Sequence, residues 1–310
     1  MKILLVVDGS SHSELATKML QALRLPSGTE ITVMTVVPEQ AFLGGITLSK
    51  LGGASARKKA QRQKALKLLR EPVQALTAGK LKVDSLVRWG NPAEEILKTT
   101  NESGTSLVVM GAKGLTDPLP FRLGSVAQTV MKHARASVLL VRETMAITGK
   151  EVPSKKKPGI NRVLLTTDGS KYSEATVRVL LDLPLPRQCE VIVMTALQSH
   201  LASLVRMPTL DFKTNQELLA SLQEAEENEA RKITTKAEKQ FQTKGYKTAS
   251  VVVRGGAAES ILTAAKEYQP DIIALGSRGL SRIESLLLGS VAERVARYTN
   301  CSVLIGRTPK

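Results

Sequence analysis

Thiols, aromatic side chains and long apolar runs are all scarce in this chain of 310 residues. Its two cysteines, Cys189 and Cys301, form no CxxC pair, so we expect neither a disulfide framework nor a structural zinc site. No apolar run approaches the ~18 residues that a membrane-spanning helix needs. The first apolar run ends at Asp8 and is too short for a signal peptide. We therefore expect a cytoplasmic protein without a membrane span.

Acidic residues are also in short supply, with 28 Asp and Glu against 44 Lys and Arg and a net charge of +16. This excess favours an anionic partner such as a nucleotide, a nucleic acid or a membrane surface. Aromatic residues make up only 3%, which leaves few stacking platforms and argues against nucleic acid. The most basic stretch is either a docking surface or a solvated helix face, and it contains Lys50, Arg57, Lys58, Lys59, Arg62, Lys64, Lys67 and Arg70.

The sequence contains a long tandem repeat. Residues 2–10 return as residues 162–170, at an offset of 160. Residues 108–115 return as residues 273–280, at an offset of 165. A length difference of five residues therefore falls between the second and third strands of the two copies. A repeat of this length predicts two copies of one domain.

The predicted domains cover residues 1–145 and 161–310. Residues 146–160 between them lack periodicity and contain glycine, proline and a run of three lysines. This composition is typical of a flexible linker.

Within each copy, apolar runs alternate with helix-like segments, as in parallel sheets covered by helices. We predict an α/β fold of two tandem doubly wound domains, each a five-stranded parallel open sheet with helices on both faces. The predicted strands are 2–7, 30–36, 81–88, 106–110 and 137–142, then 161–167, 189–195, 248–254, 271–275 and 301–306. The predicted helices include 13–24, 54–78, 92–102, 125–134 and 214–244.

One glycine pattern occurs at matching positions in both copies. It reads Gly-x2-Gly-x9-Gly-Ser and starts at Gly111 and at Gly276, each at the end of the fourth strand. A glycine there lets the backbone approach a ligand closely. The final Gly-Ser opens a helix, whose free N–H groups and positive dipole end attract an anion. Ligands of open parallel sheets bind at these carboxyl ends, so the pattern predicts a phosphate site in each copy.

These motifs resemble the nucleotide-binding pattern of the universal stress protein family, which adds an acidic residue after the first strand. The resemblance spans nearly the whole chain outside the linker and the region of the second helix. It implies one ATP per copy, with Mg²⁺ as an optional companion. It also implies that the fifth strands pair, Ser137–Val141 against Ser302–Gly306, so that the chain forms its own pseudo-dimer.

By this resemblance, the residues that hold the phosphates are Gly111, Gly114, Gly124 and Ser125 in the first copy and Gly276, Gly279, Gly289 and Ser290 in the second. The nucleotide-binding set also includes Val126 and Val291, which follow the two serines. The acidic residues beside the nucleoside are Asp8 and Asp168. The residues that face adenine in the second strand are Val36 and Ala196. The residues that pack on the sugar or base are Met110 and Leu275. Ala196 is smaller than the family's valine, and Pro118 and Pro120 interrupt the first nine-residue spacer.

Other roles remain open for these residues. The strand-end glycines could serve close helix–sheet packing alone, and Asp8 could either cap the next helix or form an Asx turn. Lys113 and Arg278 reach either phosphate or solvent. His12, His133 and His200 lack metal-ligand spacing.

Signals of catalysis are missing from the sequence. It contains neither a Walker motif nor G-x-G-x-x-G, and no nucleophile has a histidine partner at a recognisable spacing. We therefore predict an ATP-binding regulatory protein of the stress response that is not an enzyme and hydrolyses ATP slowly at most. The alternatives are a nucleotide-independent interaction module, a slow ATPase, and a nucleic-acid binder sensitive to salt. The protein partner is unknown, and further homo-oligomers stay open.

Overall fold

A computed structural model describes residues 1–23, 25–38, 54–78, 81–115, 123–142, 159–197, 212–279 and 288–308. The elements of the first half are β1 (Lys2–Val6), α1 (Ser11–Ala22), β2 (Glu30–Val37), α2 (Ala54–Thr77), β3 (Lys82–Trp89), α3 (Pro92–Glu102), β4 (Leu107–Gly111), α4 (Ser125–His133) and β5 (Ser137–Val141). Those of the second half are β6 (Arg162–Thr166), α5 (Lys171–Asp182), β7 (Glu190–Leu197), α6 (Phe212–Thr243), β8 (Lys247–Arg254), α7 (Ala257–Tyr268), β9 (Ile272–Gly276), α8 (Ser290–Tyr298) and β10 (Ser302–Gly306).

The predicted fold class is confirmed, and the bounds of each predicted strand and helix agree with the structure to within two residues. The helix α1 begins earlier than predicted because Ser10 is its N-cap, with the Ser10 hydroxyl accepting a hydrogen bond from the Ser13 N–H. The domain bounds stay a prediction, since residues 143–158, most of the proposed linker, lie outside the described residues. In the part of the chain that the structure describes, no helix has the length and apolar character needed to cross a bilayer.

The ten strands within the described residues form one sheet in the order β3-β2-β1-β4-β5-β10-β9-β6-β7-β8. Pairing is parallel within each half, while β5 and β10 pair antiparallel, with Leu139 opposite Leu304. The pairing of the fifth strands is therefore confirmed. We call this junction between β5 and β10 the seam.

A hydrophobic layer covers each face of the sheet and continues across the seam. One layer holds Leu4, Val138 and Val303 under the helices α3, α4, α7 and α8. The other holds Leu5 and Leu139 under α1, α2, α5 and α6. Because side chains alternate between the faces of a strand, the central strands are apolar on both sides. The two halves thus share both hydrophobic layers.

Two buried arginines cross the seam in opposite directions. Arg142 follows β5, and its Nη2 donates to the carbonyl oxygen of Ala296 in the last turn of α8 at 2.7 Å. Arg307 follows β10 and donates in the same way to Met131 in α4 at 2.6 Å. Each cation therefore meets the negative end of a helix dipole in the other half. Burial lowers the pKa of Arg142, and burial together with Arg278 lowers the pKa of Arg307 to about 10.

Each half also joins the starts of its outer strands with charges. In the second half, Glu190 accepts from Arg162 at 2.8 Å and from Lys247 at 3.3 Å, which links β6, β7 and β8. The hydrogen bond from Arg162 is the main cause of the lowered pKa of Glu190. Glu30 holds the same position in the first half, where it pairs with Lys82.

Replacing Arg142 with Met should loosen α8 and leave α4 unchanged. The last-turn amides of α8 should exchange at least about tenfold faster, because a hydrogen bond from a charged group contributes ~1.5–3 kcal/mol. Arg307→Met should have the reverse effect, loosening α4 alone. Hydrogen exchange with mass spectrometry measures both helices, and Arg135→Met changes an exposed arginine as the control. Equal acceleration of both helices would contradict the crossed arrangement.

The Glu190 carboxylate should make stability dependent on pH. Because its folded pKa lies below the ordinary 4.5, its stabilisation is complete above that value and is lost as the pH falls through the folded pKa. Near neutral pH, the free energy of unfolding of the wild type should exceed that of Glu190→Gln by about 1 kcal/mol. This difference should vanish in acid. Urea unfolding of both proteins across this range is the measurement, and a difference independent of pH would contradict the assignment.

Candidate functional site

The glycine motifs lie where the strand order reverses. In the first half, β1 has β2 on one side and β4 on the other, so the chain departs from β1 and β4 towards opposite faces of the sheet. Asp8 follows β1 and Gly111 ends β4, which brings both to one crevice. Asp168 and Gly276 occupy the same places beside β6 and β9. Such crevices are the usual ligand sites of open α/β sheets.

The two aspartates join the start of the next helix to the glycine motif. One oxygen of Asp8, Oδ1, accepts from the N–H of Ser10 at 3.0 Å and from its hydroxyl at 2.6 Å. This is the Asx turn that the sequence left open, while Ser10 itself caps the helix. The other oxygen, Oδ2, faces Gly114 and would lie 2.8 Å from a Cβ there. In the second half, Asp168 Oδ1 accepts from the N–H of Ser170 at 3.0 Å, and its Oδ2 would lie 3.0 Å from a Cβ on Gly279.

The first glycine of each motif serves helix packing. A Cβ on Gly111 would lie 2.8 Å from the Cβ of His12, in the first turn of α1. A Cβ on Gly276 would lie 2.9 Å from backbone atoms of Tyr172 and Ser173, in the first turn of α5. Only glycine lets these helices start so close to the strand end. Close packing is thus a role that the structure gives to both residues.

The third glycine of each motif is the N-cap of a helix. Gly124 begins α4 and Gly289 begins α8, and neither helix has a side-chain cap. The N–H of Gln128 makes the first bond inside α4, to the carbonyl of Gly124, so the N–H groups of residues 125–127 precede that ladder. By contrast, serine side chains cap α1 and α5. The starts of α4 and α8 therefore present backbone donors and a positive dipole end to a ligand.

The residues assigned to the base and sugar share one face of the sheet with Val126 and Val291. Val36, Met110 and Val126 all pack in the layer under α3 and α4, with Met110 buried and the two valines half-buried. Ala196, Leu275 and Val291 occupy the matching layer positions of the second half. The sequence-predicted residues are therefore brought together in each half on the side of α4 or α8. Ser125 and Ser290 open those helices.

Neither cation of the motif loops is a freely solvated side chain. Lys113 is buried, and its carbonyl accepts from the Ser10 hydroxyl at 3.3 Å. Arg278 donates from Nη1 to the Tyr172 hydroxyl at 2.9 Å and stacks over that ring at 5.2 Å. The contact of Tyr172 with Arg278 was not predicted. The sequence indicates only that Tyr172 lies in the first turn of α5, two residues after Ser170. Most of each nine-residue spacer, including Pro118 and Pro120, lies outside the described residues.

Other candidate groups contribute no chemistry that the described residues support. Burial raises the pKa of Cys189 to about 12 and that of Cys301 to about 11, so neither thiol ionises near neutral pH. Across the described ranges, no three His, Cys, Asp or Glu side chains gather as metal ligands. His200 and Lys50 lie outside those ranges.

Comparison with known proteins identifies relatives over most of the chain. The model of the universal stress protein family matches residues 1–142 and 159–307. The universal stress protein Rv2005c of Mycobacterium tuberculosis is 28% identical over 243 residues, which cover 78% of this chain and 74% of that protein. Universal stress protein YxiE of Bacillus subtilis is 28% identical over 153 residues, which cover 47% of this chain and 99% of YxiE.

A solved structure shares the whole architecture. The crystal structure of a universal stress protein from Archaeoglobus fulgidus DSM 4304 aligns with a TM-score of 0.64 at 19% identity, covering 100% of this chain and 97% of that one. At this identity the likeness supports the fold alone.

The packing role of the first motif glycine is testable. Gly276→Ala should destabilise the protein by about 1–3 kcal/mol, because the new Cβ would meet the backbone of α5 at 2.9 Å. Gly289→Ala is the matched control, since its Cβ would lie 3.4 Å from the nearest atom and should cost less than about 1 kcal/mol. Urea unfolding compares the two, and equal costs would show that Gly276 is not constrained by packing.

Proposed function

Because the chain belongs to the universal stress protein family, we propose that it is a regulatory protein that binds one ATP in each half and acts through nucleotide-linked changes of its surface. The observation that carries the proposal is the pair of uncapped helix starts at Gly124 and Gly289, placed at equivalent switch points of the sheet. A triphosphate would supply acceptors to these N–H groups.

The surrounding residues fit an adenine nucleotide. One wall of each crevice is formed by the apolar layer under α4 or α8. In the first half this wall contains Met110 and Val36, and such an apolar surface suits a base. Asp8 keeps one carboxylate oxygen outside its Asx turn, on the side of the motif glycine. Mg²⁺, where present, would be bound to the triphosphate when ATP enters the site.

Binding rather than turnover is the proposed activity. Phosphoryl transfer needs charges that stabilise the transition state, and the described cations of the motif loops are already engaged, Arg278 with Tyr172 among them. ATP would stabilise one arrangement of the loops and so change a surface read by a protein partner. A cytoplasmic location belongs to the same proposal.

The two halves should differ in affinity. The first turn of α8 carries Glu293, which pairs with Arg297, whereas α4 has Gln128 at the same position. A carboxylate there lowers the attraction for phosphate. The smaller Ala196 also covers less of a base than Val36. Both differences favour the first site.

Calorimetric titration of nucleotide-free protein with ATP tests the proposal. Wild type should bind two ATP per chain. Gly124→Val and Gly289→Val should each weaken one site by at least tenfold, or ~1.4 kcal/mol, because the side chain would cover the helix start. Thr129→Val, one turn into α4, is the control and should bind as wild type does.

Two outcomes reject the proposal: no binding by the wild type, or full affinity in the double glycine variant. Steady ATP turnover that Asp8→Asn and Asp168→Asn abolish would favour the slow ATPase instead. Circular dichroism and unfolding curves establish that each variant is folded.

A further inference from the structure

A groove of about 760 Å³ lies between α2 and the edge strand β3, away from both glycine motifs. Its volume is within the range of small-molecule sites. The residues that line it are Lys58, Lys59, Arg62 and Leu66 of α2 and Ser85, Leu86, Val87 and Trp89 of β3. We call it the α2–β3 groove.

The α2–β3 groove combines exposed positive charge with an aromatic ring. Lys58 Nζ lies 5.3 Å from the centroid of the Trp89 ring. Among the described residues, Lys58, Lys59 and Arg62 form no ion pair. Leu66 is 48% exposed at the same place. Three cations therefore share one small groove without an acidic partner in the described part of the chain.

The second half provides an internal comparison at the offset of 165. The buried residues Ala65 and Leu76 of α2 correspond to Ala230 and Phe241 of α6, which are also buried, so the helices align in register. In that register, two cations of the groove on α2 correspond to glutamates on α6, a third corresponds to a neutral residue, and the tryptophan corresponds to an arginine. The pairs are Lys58 with Gln223, Lys59 with Glu224, Arg62 with Glu227 and Trp89 with Arg254.

In the second half, the chain supplies both charges itself. Arg254 donates to the carbonyl of Gln223 at 2.7 Å and pairs with Glu227 at 3.2 Å and Glu226 at 3.8 Å. Glu226 and Glu227 of α6 are thus paired with a cation of the neighbouring strand. The first half has cations on the helix and Trp89 on the strand, so the described residues supply no counter-charge to this groove.

We propose that the α2–β3 groove is a binding site for a small ligand that carries two or more phosphate groups. The phosphates pair with Lys59 and Arg62, where charge-assisted bonds replace the repulsion between neighbouring cations. A ring on the ligand, such as a nucleoside base, stacks on Trp89. A single aromatic ring in a groove of about 760 Å³ suits a small ligand better than a polymer strand, which needs successive stacking platforms.

Trp89 is the only tryptophan of the chain, so its fluorescence reports directly on the groove. Inorganic tripolyphosphate titrated into the full chain should change the emission saturably, with an affinity that falls as salt rises. Lys59→Glu with Arg62→Glu, which installs the residues of the second half, should weaken binding at least tenfold. Lys64→Glu with Lys67→Glu changes the same charge on exposed residues of α2 outside the groove and should change affinity less than about threefold.

A parallel titration separates this groove from the glycine-motif sites. The protein with both Gly124→Val and Gly289→Val should keep the Trp89 response, whatever becomes of its ATP binding. A nucleoside triphosphate that binds the groove more tightly than tripolyphosphate identifies base stacking on Trp89 as part of recognition.

Several results would overturn the proposal. They are an absent or non-saturating Trp89 response, equal affinity in the Lys59 and Arg62 variant, and loss of the response in the glycine variant. An acidic peptide or a single-stranded oligonucleotide that binds more tightly than either phosphate ligand would replace the small ligand with a macromolecular one.

Discussion

The antiparallel pairing of β5 with β10 is the constraint on which the rest of the structure depends. Each half is a parallel sheet whose fifth strand would otherwise expose a row of unpaired backbone groups. The seam satisfies both edges at once and makes each hydrophobic layer continuous. Because the halves meet antiparallel, the carboxyl ends of their strands point in opposite directions. The two candidate sites therefore open at opposite ends of the sheet, while Arg142 and Arg307 tie each site's helix to the other half.

Periodicity and breakers in the sequence were enough to predict the strands and helices, because the central strands are buried on both faces and their apolar runs are long. The seam was predicted only through family resemblance, since no local pattern states which edges pair. The crossed arginines were not predicted. The sequence around an arginine that follows a strand does not indicate which carbonyl its side chain will contact. For Arg142, that carbonyl belongs to the other half of the chain.

The candidate site was predictable as a set of residues and less so as a set of roles. The glycine spacing located the crevice, yet it did not separate Gly276, which packs against α5, from Gly289, which caps a helix. That distinction depends on how closely a neighbouring helix approaches. The exchange of Trp89 for Arg254 was visible in the aligned repeat, but its meaning required the ion pairs of Arg254.

Joining both halves in one polypeptide has a kinetic consequence for the seam. Two separate copies would meet in a second-order encounter and would part on dilution, whereas tethered strands find each other at a fixed effective concentration. The ten-stranded sheet therefore forms by a first-order step at any level of expression. Every molecule therefore carries two halves with different surfaces, such as the basic face of α2 and the acidic face of α6.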